Sequence, residues 1–167
     1  MGGASLCVAL AAFLTAIFAA TLMEYGGHRL MHARWLLALR HAEHHRDGSG
    51  QGVLGEFIDY LLGAIGILWV GFLHSIEAGL GTILGGITYC ILAAYSHQVQ
   101  HERPELVFWL KRPIHYLHHT HHMWRHNFGI LVDFWDRLFD TYKVVEWNPE
   151  RPPLDHPLRA FFEIKWR

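Results

Sequence analysis

Charge is scarce in this chain and cysteine scarcer still. Only 17% of the residues are charged, against 51% hydrophobic, and the apolar residues fall in long blocks. That is a membrane composition rather than that of a water-soluble domain. Two cysteines, Cys7 and Cys90, sit in separate apolar blocks without any C-x-x-C spacing. They exclude an iron–sulfur cluster or a thiolate zinc site built from this chain alone, and they argue against a structural disulfide. Lys and Arg are missing from residues 1–28 and 47–102. The net charge of -1 is uninformative because the charges are segregated, and no nucleic-acid partner is expected. A chain of 167 residues is read as a single domain.

The stretches without charge define the architecture. Ser5 to Met23 is an uncharged run of 19 residues, long enough to cross a bilayer core as a helix. The start has no basic residue and the run is long, so a signal peptide is set aside. Leu6 breaks the myristoylation pattern. The helix is expected to continue through Glu24 to His32. A second run covers about Phe57 to Leu73, interrupted by Asp59, and a third covers Gly79 to Ser96; with the link at 74–78 they read as a membrane hairpin. Gly81 and Gly85 are spaced to let two helices approach closely. All 14 Lys and Arg lie in 29–46 or 103–167. Under the positive-inside rule, three crossings put both regions on the cytoplasmic side. The expected fold is therefore all-α, integral to the membrane, with about three transmembrane helices and a cytoplasmic histidine cap.

Further along, Asp47 to Gly52 reads as a flexible loop. Pro104 and Pro113 suit the first turns of two successive helices. The first of these, carrying Leu106, Val107, Trp109 and Leu110 and ending in Lys111-Arg112, suits the membrane interface. Asn127 to Tyr142 is aromatic yet holds four charges, so it is expected to pack against the cap rather than span. Its aromatic residues Phe128, Phe134, Trp135 and Phe139 read as packing rather than as a substrate cage.

What abounds is histidine, 15 in all. Residues at i, i+3 and i+4 share one face of a helix, and four stretches carry that spacing. They are His28/His32, His41/His44/His45, His97/His101 and His118/His121/His122. Imidazole favours iron, copper and zinc. Ten ligands exceed what one ion accepts, so two adjacent metals are the economical reading, and a closed four-coordinate structural zinc needs fewer. Glu24, Glu43, Asp47, Asp59 and Glu102 are candidates to orient ring nitrogens. His74 and His156 stand alone and read as ordinary surface residues. His115, His119 and His126 are left open, because His115/His118/His119 repeats the same spacing as His118/His121/His122.

With these residues in view, the chain resembles the fatty acid hydroxylase/sterol desaturase superfamily. Its pattern of H-x-x-x-H, H-x-x-H-H, H-x-x-x-H and H-x-x-H-H is met by the four stretches above. Asn127-Phe-Gly129, Trp135 to Phe139 and Thr141-Tyr142 resemble that family's ending, although Asp140 stands where relatives often have Gly. The later frame, His118/His121/His122, leaves 12 residues before Trp135, close to the spacing expected of sterol-oxidising relatives. A helix starting near Pro113 also places that triplet deeper in regular structure.

The resemblance implies an integral-membrane, non-haem di-iron enzyme that uses dioxygen to hydroxylate or desaturate a lipid, with zinc possible in the purified protein. It implies a lipid substrate and a separate electron donor of cytochrome or ferredoxin type. Carotenoid hydroxylases are similar in size and histidine content, but their first box usually has four intervening residues where this chain has three. The alternative from another class is a membrane metal-binding or transport protein.

Overall fold

A computed structural model describes residues 2–149 and 161–167; His156 lies outside the described residues. Among the described residues the helices run in the order α1 (Gly3–His32), α2 (Ala38–Asp47), α3 (Val53–Ala64), α4 (Ile76–Glu102), α5 (Ile114–Thr120) and α6 (Phe134–Leu138). There is no strand among the described residues. Two of these helices, α1 and α4, are long and apolar enough to cross a membrane. The outer side of α1 leaves Leu6, Leu10, Leu14 and Phe18 more than half exposed. That four-residue spacing marks one helical stripe without a protein partner.

The long helices run side by side in the same direction. A Cβ at Gly81 would collide with the Ala9 carbonyl, and one at Gly85 would lie 2.5 Å from the Phe13 carbonyl oxygen. As α4 advances from 81 to 85, α1 advances from 9 to 13, which fixes the parallel direction. The glycine pair read from the sequence thus brings α4 against α1. Both histidine pairs, 28/32 and 97/101, consequently emerge at the same end.

Parallel neighbours need a returning connection. Gly52 N–H donates to Gln98 Oε1 at 2.9 Å, Leu68 packs over Gly86, and Phe72 packs over Gly79. The segment 52–72 therefore runs antiparallel to α4 along most of its length. It is not the continuous helix expected for the second apolar run. At about 1.5 Å per residue, the 12 residues of α3 reach roughly 18 Å, short of a hydrocarbon core of about 30 Å. Beyond Ala64 come turns and a 3-10 segment, Val70–Leu73. Gly63, Gly66 and Gly71 weaken helix here. Ser75 then caps α4, its hydroxyl accepting from Ala78 N–H at 3.1 Å.

The first helices beyond α4 are shorter than expected. Pro104 opens only a 3-10 turn, Pro104–Leu106, because Val107 adopts φ -77 and ψ 89, outside the helical region. Arg112 precedes a proline, which disfavours helix there too. The interfacial helix expected over this stretch is absent. The chain's last residues close the cap: Val53 and Leu54 N–H donate to the Lys165 and Trp166 carbonyls, each at 3.0 Å. These bonds satisfy donors that the start of α3 would otherwise leave unpaired. Ile164 joins Val53, Ala94, Val99 and Val107 in one core.

Candidate metal centre

The imidazoles converge in two adjacent groups. His28, His32, His41, His45 and His118 form the first, and His44, His101, His115 and His119 the second, with ligand atoms within 4.8 Å of one another in each. His97 borders the second group, its ring centroid 4.6 Å from His115, 4.7 Å from His101 and 5.0 Å from His44. Once His97 is counted, the groups share a plan. Each has an i, i+4 pair from a long helix: 28/32 of α1 or 97/101 of α4. Each has an i, i+4 pair from a short helix: 41/45 of α2 or 115/119 of α5. Each then takes one residue from the opposite short helix, His118 or His44. The middle histidine of each H-x-x-H-H triplet therefore crosses to the other group.

The frame expected in the dense stretch is corrected. Helix α5 stops at Thr120; His121 follows at φ -102, ψ 12, and His122 has left-handed φ 49. The helical face that was to carry His121 and His122 does not exist, and both side chains are exposed. They line a separate open cavity of about 410 Å³ with Trp124, Arg125, His126 and Lys143. The earlier triplet, His115/His118/His119, is buried inside the two groups. His74 is exposed.

Distances within the first group fit a shared cation. His32 Nε2 lies 2.9 Å from His41 Nε2, 3.2 Å from His45 Nε2 and 2.9 Å from His118 Nε2. His45 Nε2 lies 3.1 Å from His41 Nε2 and 3.2 Å from His118 Nε2. An imidazole nitrogen offers either one N–H or one lone pair, so at most two of these five contacts can be N–H···N hydrogen bonds, and the rest bring nitrogens together without a shared hydrogen. Around an ion with metal–nitrogen bonds of about 2.1 Å, adjacent nitrogens fall roughly 3.0 Å apart, matching these contacts. In the second group His101 Nε2 lies 3.1 Å from His44 Nε2 and 3.2 Å from His115 Nε2, and both nitrogens of buried His119 lack a hydrogen-bond partner.

Several rings are held from behind. His28 Nδ1 donates to the Phe128 carbonyl at 2.6 Å, and His118 Nδ1 to the His126 carbonyl at 2.7 Å. His101 Nδ1 donates to the Gly48 carbonyl at 3.2 Å. Each bond leaves Nε2 unprotonated and directed inward, as metal ligands require. The loop that supplies two of these carbonyls is itself pinned. Asp136 accepts from Phe128 N–H at 2.9 Å, Gly129 N–H at 2.7 Å and the Thr141 hydroxyl at 2.7 Å. Glu24 accepts from Ile130 N–H at 2.9 Å and the Tyr89 hydroxyl at 2.6 Å. Trp135 Nε1 reaches the Thr21 hydroxyl at 2.8 Å. Phe128 lies edge-on to His28 and His32. Packing is thus the visible role of Phe128 and Trp135. Asp140 has left-handed φ 55, a conformation that Asp tolerates and Gly adopts freely.

Of the five acidic residues singled out from sequence, none contacts a site imidazole. Glu24 holds the loop, Asp59 pairs with Arg40, Asp47 with Arg46, and Glu102 accepts from Lys165 N–H at 2.7 Å, while Glu43 is exposed. The carboxylate that does is Glu56, which sequence reading passed over. It is buried in the first turn of α3, and its Oε2 lies 3.1 Å from His97 Nδ1. An acidic residue one turn into a helix beside a Gly-rich loop was the only available signal.

Burial also sets the protonation. Desolvation, reinforced by neighbouring imidazoles, lowers His41 to about 3, His44 to about 4 and His45 to about 2. Desolvation likewise brings His118 to about 3 and pushes His115 and His119 down. These rings are neutral at pH 7, the form that binds metal.

Among the described residues the chain is helical, with two helices long and apolar enough to cross a membrane and two adjacent imidazole groups that could each hold a metal ion. It belongs to the fatty acid hydroxylase family, which matches residues 13–141. No curated protein and no solved structure matches the chain.

Proposed function

We propose that this protein is a dioxygen-dependent, di-iron hydroxylase or desaturase of a membrane lipid such as a fatty acyl chain or sterol. One observation carries the reading: two adjacent, imidazole-built groups sit at one end of apolar helices in a chain of the fatty acid hydroxylase family. His28, His32, His41, His45 and His118 would hold one iron, and His44, His97, His101, His115 and His119 the other. The bound irons supply the dioxygen-activating chemistry when present. In hydroxylation one oxygen atom enters a C–H bond and the other leaves as water, with two electrons and two protons consumed. In desaturation two hydrogens leave the substrate and both oxygen atoms become water, with the same two electrons.

The chain's own residues position and protect. The Phe128 and His126 carbonyls aim His28 and His118. Phe128 and Trp124 screen the first group, the latter stacked on His45. In this reading helices α1 and α4 cross the membrane with the segment 52–72 returning between them, and the one-sided Lys and Arg favour a cytoplasmic cap. A separate cytochrome- or ferredoxin-type carrier delivers the electrons there. Ligands gathered at one end, rather than strung along a path, speak against ion transport.

The test is lipid analysis, under labelled dioxygen, of cells carrying the wild-type chain or His118→Ala. A hydroxylated lipid holding one labelled oxygen, or a new double bond, appearing only with the wild type supports the proposal. Identical lipids in both, with metal-loaded protein present, contradict it.

A further inference from the structure

The two groups share a ligand plan but differ behind one matched pair of ligands. His28 and His97 occupy equivalent places, the first histidine of each long-helix pair. The ring of His28 is held by a neutral peptide carbonyl, that of Phe128. The ring of His97 instead faces the carboxylate of Glu56 in an ion-pair contact, Nδ1 and Oε2 3.1 Å apart but not aligned as a hydrogen bond, with both side chains 8% exposed. The other Glu56 oxygen, Oε1, accepts from Gln51 N–H at 3.1 Å, so the carboxylate is fixed by the loop as well as by its helix. The Nδ1 bonds of His118 and His101 also end on carbonyls, those of His126 and Gly48. Among the described residues, Glu56 is the one carboxylate that touches a ring of either group. Glu24 is half-buried, and Tyr89, Ile130 and Leu131 engage it.

We infer that Glu56 makes the two metal positions unequal by holding His97 as a charge-assisted ligand of the second. This inference rests on the two-metal reading above. A carboxylate set against the Nδ1 side of the ring favours a proton there, leaving Nε2 free as the stronger donor, and it would place a negative charge beside a buried dication. Loss of such an outer partner typically costs about 10–100-fold in metal affinity. The second position therefore holds its iron more tightly than the plan alone dictates, and its ferric state is the more stabilised of the two. Glu56 is a positioning residue, acting through His97.

The experiment uses the full-length protein in detergent, loaded with isotopically enriched ferrous iron. Glu56→Gln keeps the size and the acceptor for Gln51 N–H while removing the charge. Wild type is expected to bind two ions, and the variant to bind one of them as before and the other about 10–100-fold more weakly. Mössbauer spectra of the diferrous wild type should show two distinct ferrous environments, of which Glu56→Gln alters one. Weakening of both positions alike, or of neither, overturns the inference. The spectrum of the wild type tests the inference even if the variant fails to fold, since a single ferrous environment contradicts it. A wild type that binds only one ion removes the two-metal reading itself, a result seen before any variant is compared.

Discussion

The rings of His45 and His119 stack 3.9 Å apart and within 14° of parallel, although each belongs to a different group. This is where the two groups meet, and His119 belongs to the second of them, among residues that could hold a metal ion. Substituting His119→Ala is expected to remove at least one metal ion per chain. His121→Ala, changing an exposed side chain outside both groups, should keep the full complement. Metal analysis of the purified variants checks this, and the opposite ranking would restore the later frame.

Asp136 never touches a histidine, yet it pins the loop whose carbonyls aim His28 and His118. Asp136→Ala strands two buried backbone donors, at roughly 1–3 kcal/mol each. Thermal unfolding in detergent should show that loss. Metal titration should show the first group weakened more than the second. Equal weakening of both would mean that the loop supports the cap only generally.

Gly85 and Gly63 make a matched pair. A Cβ at Gly85 would press on the Phe13 carbonyl, whereas one at Gly63 meets nothing within 4 Å. Gly85→Ala should destabilise by about 1–3 kcal/mol through overpacking and lower metal content as 28/32 part from 97/101. Gly63→Ala should be neutral or stabilising, by up to about 1 kcal/mol. Equal melting temperatures for the two variants would contradict close α1–α4 packing.

Much of this arrangement is legible in the sequence, because it follows from periodicity. Helix α1 ends at His32 as its pattern implies, and Gly81 and Gly85 mark a close helix contact. What periodicity cannot convey is where a helix stops. His118/His121/His122 has the same spacing as His115/His118/His119, and the choice depends on α5 ending at Thr120 without a proline or glycine to announce it. The second apolar run was hydrophobic enough to span, but its glycines broke the helix after Ala64. Glu56 was invisible for a different reason: its partner His97 is 41 positions away, and only the fold brings them together.

Acid should act through the buried rings. His41, His44, His45 and His118 lie at about 2–4 in the folded chain, against about 6.5 when unfolded. Between those values the unfolded chain binds protons that the folded one refuses, so stability falls as pH falls. The metal-free protein should melt at progressively lower temperature from pH 6.5 to pH 4 and change little from these groups above pH 7. A melting temperature that rises on acidification through that window would contradict the assigned burial.

The measurement that bears most directly on the account is metal content set against activity in the purified wild-type protein. Two irons per chain, both required for oxidation of the lipid substrate, are predicted by the paired imidazole groups. A fully active enzyme that holds a single ion per chain would contradict it.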